Sequence, residues 1–246
     1  MSKRFLFIRF RLITLLVIVL VCSLGFAVMG QRIRAERAAE KALRRTPSAV
    51  ITRNGTPHTI VGGWLSSIGF PPITAVQIDD PSFDDSQILP IAGLHDISSL
   101  LLPGTQVSDG SIEVIAAMHG LKELELSGTS ITDRGTMHLR RLSTLSDLDL
   151  SDTHVSDLGC MSISNCVGLQ MLDLSYTQVT DAGVISLAKL PDLAELWLNG
   201  TAVTDQCLRS VEEMQGLQCV WLIGTNVTQR EAERLRQRRP NLTVRW

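Results

Sequence analysis

Apolar residues recur along most of this chain at a fixed interval of 24. The first apolar position of each unit falls at Ile73, Ile97, Leu121, Leu145, Leu169, Leu193 and Leu217. Position 4 is Val76, Leu100, Leu124, Leu148, Leu172, Leu196 and Val220; position 6 is Ile78, Leu102, Leu126, Leu150, Leu174, Leu198 and Leu222. Val244 and Trp246 keep the frame in a truncated eighth unit. Positions 4 and 6 are two apart, so their side chains point to one side of a short strand. That side must be buried. One unit cannot do this alone, but stacked units share a continuous core. The strands then form a parallel sheet, eight of them at roughly 4.8 Å spacing, lining a face about 35 Å long.

The second half of each unit predicts a helix. Position 12 carries Ser108, Thr132, Ser156, Thr180, Thr204 and Thr228, which are N-cap residues. Position 13 carries Asp85, Asp109, Asp133, Asp157, Asp181 and Asp205, placed to meet the positive helix end. Apolar residues follow at positions 16, 19 and 22, such as Val184, Leu187 and Leu190. Thr228 and Glu231 form a capping-box pattern. A calcium-binding ladder is the alternative for the aspartates, but each has a helix end to serve. Position 9 is a column of Thr105, Thr129, Thr153, Thr177, Thr201 and Thr225, suited to bonding backbone in the turn after the strand.

These residues spell L-x-x-L-x-L-x-x-T-x-[VI]-[TS]-D-x-G, which resembles the helix-bearing subtype of leucine-rich repeat found in F-box-linked proteins and in many small bacterial repeat proteins. The resemblance covers residues 73–246, including an ending over 235–246 like that of the bacterial proteins, and more loosely the N-terminal anchor. It implies an α/β fold: a right-handed leucine-rich-repeat solenoid with a parallel concave sheet, convex helices and an N-terminal transmembrane helix. It also implies partner binding. No F-box pattern is present, so a ubiquitin-ligase role does not carry over.

Charge divides the chain. Residues 1–45 hold ten Lys/Arg and two Glu, a net +8, which leaves −10 for residues 46–246 against −2 overall. Residues 1–11 are a basic N-terminus. Residues 12–30 are expected to be an uncleaved transmembrane signal-anchor, because Leu12 to Met29 is uncharged over a length that just spans a bilayer. A cleaved signal peptide is the rival reading. Both flanks are basic, so orientation stays open; the short basic N-terminus together with the family resemblance favours repeats outside the cytoplasm. Residues 31–45 read as a basic helical stalk, whose arginines could lie on anionic headgroups or in solvent. Residues 46–72 read as the N-terminal cap, with an Asn54–Gly55 turn and Trp64 as a core plug. Residues 73–246 are the solenoid, seven 24-residue repeats and a terminal strand.

No catalytic motif or phosphate-cradling loop is present, and no cofactor or metal is expected. The five histidines fall at unrelated repeat positions. Cys160 and Cys166 occupy apolar helix positions and read as core; Cys207 and Cys219 fall on different faces, and free thiols are expected.

The informative surface is the solvent side of the sheet, positions 3 and 5. Its centre is acidic: Glu123, Glu125, Asp147, Asp149, Asp173 and Glu195, followed by Trp197 and Trp221 on adjacent strands. Like charges across neighbouring strands repel, a cost that a cationic partner would offset, and exposed tryptophans are favoured binding anchors. These eight residues are the expected site for a basic, partly apolar protein or peptide. The bland alternative is a soluble sheet surface with tryptophans packed on each other. A nucleic-acid partner is disfavoured because the face would repel phosphates. A structural envelope role and glycan binding are the other non-enzymatic readings. Glycan hydrolysis by paired carboxylates is disfavoured, since an open surface offers nothing to raise one pKa.

Overall fold

In a computed structural model the described residues are 27–43, 46, 48–53, 56–59 and 72–246. Most of the expected membrane segment 12–30 lies outside them, as do the Asn54–Gly55 turn and Trp64. Residues 27–30 begin the described helix, α1, over 27–43. Among the described residues no helix is long and apolar enough to cross a membrane.

The 24-residue rhythm becomes strand–turn–helix. Short strands β3 (Ile73–Gln77), β4 (Ser99–Leu101), β5 (Glu123–Glu125), β6 (Asp147–Asp149), β7 (Met171–Asp173), β8 (Glu195–Trp197), β9 (Cys219–Trp221) and β10 (Thr243–Arg245) pair in parallel, in sequence order. Each pairing sets residues 24 apart side by side, such as Leu124 by Leu148 and Leu148 by Leu172. Between the strands lie α2 (Leu89–Ala92), α3 (Asp109–Ile115), α4 (Asp133–Leu139), α5 (Asp157–Ile163), α6 (Asp181–Leu187), α7 (Cys207–Glu213) and α8 (Gln229–Arg238). Positions 1, 4, 6, 11, 16 and 19 fill one continuous core between sheet and helices. An antiparallel pair, β1 (Val50–Arg53) and β2 (Thr56–Thr59), extends the sheet beyond β3.

The basic stretch expected as a stalk packs instead of projecting. Ala39 and Leu43 of α1 are buried in the solenoid core. Arg32 pairs with Glu36 and with Asp96 at the end of the first unit, both at 3.2 Å. The cause is amphipathicity: α1 has apolar residues at helical spacing among its arginines, and the first unit leaves core uncovered.

The aspartate column fastens units together. In α5, Asp157 Oδ1 accepts the backbone N–H of Thr180 at 2.8 Å and of Gly183 at 2.9 Å, while Oδ2 accepts the Thr180 hydroxyl at 2.7 Å. Asp133 makes the same set to Ser156 and Gly159. Asp109 bonds Thr132, Asp181 bonds Thr204 and Asp205 bonds Thr228. The sequence reading gave these carboxylates to their own helix ends; their bonds run to the cap of the next unit. The position-12 hydroxyl therefore donates backwards while accepting from its own helix, as Thr132 does from Arg134 N–H at 3.2 Å. Glycine at position 15 leaves room for the carboxylate: a Cβ on Gly135, Gly159 or Gly183 would sit 2.5–2.6 Å from the preceding unit's Asp Oδ1. Ser111 stands at that position in α3, and its hydroxyl donates to Asp85.

The threonine column closes the turn within each unit. Thr129, Thr153, Thr177, Thr201 and Thr225 each donate to the position-6 carbonyl three residues back at 2.6 Å. At the other end of the chain the Thr228–Glu231 capping box forms only in part. Glu231 N–H reaches the Thr228 hydroxyl at 3.4 Å, but Thr228 N–H goes to Asp205 and the Glu231 carboxylate binds Arg234. Arg239 then caps the preceding unit: its guanidinium donates to the carbonyls of Val211, Glu212, Met214, Gln215 and Leu217 at 2.7–3.4 Å.

Candidate binding face

Strand register assembles the site. Glu123 lies beside Asp147, Glu125 beside Asp149, Asp149 beside Asp173, Asp173 beside Trp197 and Trp197 beside Trp221. All eight expected residues therefore share one side of the sheet, opposite the buried leucines. Six of them, Glu123, Glu125, Asp147, Asp149, Asp173 and Trp197, line a shallow depression of about 330 Å³ together with Met171. Glu195 and Trp221 do not line it. Met171 stands between Asp147 and Glu195 on the inner row, which separates Glu195 from the main acidic block.

Glu123 is exposed, and the other five acids are half-buried. Among the described residues none of the six pairs with a basic side chain. Their local partners are serines. The Ser127 hydroxyl donates to Glu125 at 3.2 Å, Ser151 N–H to Asp149 at 2.8 Å and Ser175 N–H to Asp173 at 2.7 Å; the Ser146 hydroxyl donates to Asp147. Burial raises the pKa of Glu125, and the charges of Asp149 and Glu123 add to this against the Ser127 bond. Burial likewise raises Asp173, with Asp149 adding, against two bonds from Ser175. This corrects the expectation of an open strip with nothing to perturb its carboxylates. Short strands and close side-chain packing desolvate the position-5 row, which period-2 reasoning alone does not reveal.

Trp197 and Trp221 stack with ring centroids 4.2 Å apart and planes 9° off parallel. Each ring therefore spends one face on the other; Asp173 stands on the far side of Trp197 and Arg245 on the far side of Trp221 in the strand register. The mutual packing weighed as the bland alternative is thus present, and both rings remain partly exposed.

Several residues of the face escaped the sequence reading. Ser127, Ser151 and Ser175 follow the acids two residues on, and the repeated acid-Leu-Ser triplet was the available signal. Asn199 carries on that column, donating to the Ser175 hydroxyl at 3.3 Å and accepting Ile223 N–H at 3.0 Å. Position 8 requires left-handed backbone: Gly104, Gly128, Gly200 and Gly224 supply it with φ of 64–72°, but Asp152 and Tyr176 hold φ of 53° and 58°. Non-glycine residues there are uncommon. Tyr176 is 67% exposed, and its ring lies against Gly200, where a Cβ would approach within 2.5 Å of it.

The four cysteines among the described residues are free. Burial pushes the Cys166 thiol up to about 11 and Cys207 up to about 12, aided at Cys207 by Asp181 and Asp205; Cys160 is also raised by burial. Such thiols are poor nucleophiles. Among the described residues no cluster of three or more His, Cys, Asp or Glu is arranged to hold a metal ion.

A leucine-rich-repeat family model matches residues 141–164 and 169–188. No curated protein sequence matches the chain. Among solved structures, an internalin (InlF) of Listeria monocytogenes is 21% identical with a TM-score of 0.52, over 69% of this chain and 51% of that one. The chain thus spans about half the length of that structure. Internalin C2 of the same organism gives 19% identity and a TM-score of 0.46, over 64% of this chain and 74% of that one. A leucine-rich-repeat protein of Leptospira interrogans gives 19% identity and 0.44, over 64% and 50%. The repeat match, the strand–helix alternation and the internalin F superposition together show the fold of this chain to be a leucine-rich-repeat solenoid built on a parallel sheet.

Proposed function

We propose that this protein is a non-enzymatic, membrane-tethered scaffold or receptor, and that the open sheet face binds a basic, partly apolar segment of a partner protein. Leucine-rich-repeat proteins generally act as protein-binding scaffolds, and solenoids use their extended sheet faces for this. The observation that carries the proposal is the in-register block of carboxylates on β5, β6 and β7, unpaired with bases among the described residues and bordered by Met171 and Trp197. Closely spaced like charges weaken the free protein, and lysine or arginine side chains would relieve them. The partly exposed tryptophan pair supplies an apolar and cation–π anchor at one end of the strip. The tether is the expected helix at 12–30.

The test is affinity capture from a membrane extract with the whole chain in detergent. A matched bait carries Glu125→Lys, Asp149→Lys and Asp173→Lys. A partner retained by the first bait and lost by the second supports the assignment. Identical capture by both baits overturns it.

A further inference from the structure

We propose that the helix side of units three to five rests on an anionic lipid surface. Met137, Met161 and Ile185 occupy the same repeat position on the adjacent helices α4, α5 and α6, and are 60%, 57% and 58% exposed. Leu158, one turn before Met161 in α5, is 65% exposed, and Val167, in the turn after that helix, is 61% exposed. The inner residues of these helices already fill the core, so the outer column adds nothing to it. Four large apolar side chains, Met137, Leu158, Met161 and Ile185, on the outer side of three adjacent helices exceed the scattered single residues of an ordinary surface. The column stops at both ends, with Glu113 in α3 and Arg209 in α7 at the equivalent position.

From the second helical residue onward, the charge on these three units is basic. Residues 134–143, 158–167 and 182–191 contain no Asp or Glu. They do contain Arg134, Arg140, Arg141 and Lys189, all exposed and, among the described residues, none paired with an acid. The patch offers a partner flexible alkyl chains and cations with no aromatic anchor; the acids nearest to it are Glu113 at the end of the column and the first-turn aspartates, which are engaged by the next unit. That chemistry fits a phosphate headgroup layer over acyl chains better than a protein hot spot. Orientation agrees. The acidic row lies on the opposite side of the solenoid, so the helix side can meet an anionic surface while the repelled carboxylates face away from it. This surface is distinct from the sheet face and does not depend on what that face binds.

The test places a polarity-sensitive maleimide dye at Met161→Cys in the whole chain, with Cys22→Ser and Cys219→Ser; the other three thiols are buried. A second protein carries the dye at Met171→Cys on the sheet face. Both are titrated with vesicles of phosphatidylcholine alone and of phosphatidylcholine with phosphatidylglycerol, three to one. The expected result is a blue shift at position 161 in the anionic vesicles only, and none at 171. Changing Arg134, Arg140, Arg141 and Lys189 to Gln should weaken the lipid dependence by roughly fivefold per residue. No shift at 161 in anionic vesicles overturns the proposal. So does an equal shift in neutral vesicles and detergent, which would mean that a protein or a second copy covers the patch.

Discussion

Replacing Asp157 by Ala discriminates between two accounts of the aspartate column. If the carboxylate only complements the positive end of its own helix, its loss costs about 0.3–1 kcal/mol, and salt hides it. The observed bonds demand more. Asp157 accepts two backbone N–H groups and one hydroxyl from the next unit, at 2.7–2.9 Å. Hydrogen bonds to a charged group contribute about 1.5–3 kcal/mol each when isolated, and three on one half-buried carboxylate are not additive. Asp157→Ala should therefore cost about 3 kcal/mol, because two helix-entry N–H groups lose their acceptor. Asp205→Ala should cost only about 1 kcal/mol, since its two bonds to Thr228 are exposed at the last unit. The assay is urea unfolding of the whole chain in detergent. A double-mutant cycle with Thr180→Ala measures the hydroxyl bond alone and should return a coupling of about 1 kcal/mol. Equal, salt-sensitive losses below 1 kcal/mol for Asp157→Ala and Asp205→Ala, with no coupling to Thr180, would refute the clasp.

Three further outcomes follow from the same geometry. The raised carboxyls of Glu125 and Asp173 bind protons more readily folded than unfolded, so their contribution to stability is present below the unfolded pKa and lost as pH rises through the folded values; Glu125→Gln with Asp173→Asn should stabilise the fold at neutral pH by about 0.5 kcal/mol and flatten its pH response just above the ordinary carboxylate range, measured by unfolding at stepped pH. Arg239→Ala should cost about 2 kcal/mol and speed amide exchange from α7 into β9, while Arg239→Lys recovers only part because an ammonium cannot span five carbonyls. Trp221→Ala should cost about 1 kcal/mol in stability by ending the Trp197 stack, yet reduce partner capture by far more than that stability loss explains.

The strand positions, the core and the shared side of all eight site residues were legible because a period of 24 fixes register without reference to anything distant. Position 15 shows where that reading stopped. The glycines in α4, α5 and α6 looked like family pattern, and only the approach of the preceding aspartate explains them. The same holds for Arg239, whose partners are carbonyls 22–28 residues back and leave no trace in side-chain periodicity. The helix over 27–43 misled for another reason. Its arginines advertised a solvated rod, while the few apolar positions that seat it on the core, Ala39 and Leu43, are too sparse to outvote them in a composition-weighted reading. Exposed Met137, Met161 and Ile185 were invisible because a helix wheel assigns an apolar side to the interior and stays silent about a second apolar column outside it.

The forward-reaching aspartates also make the central units interchangeable. Asp133 meets a hydroxyl and a glycine in the next unit, and Asp157 meets the same two groups one unit on. Excising residues 145–168 would present Asp133 to Thr180 and Gly183, chemically the pair it already holds in Ser156 and Gly159. Removal of one whole central unit therefore keeps the clasp, whereas a change of length between an aspartate and the cap it reaches would break it. A copy of one of the units that carry the acidic row, gained or lost, would also add or remove one rung of that row, so for these units the reach of the open face scales with the length of the fold.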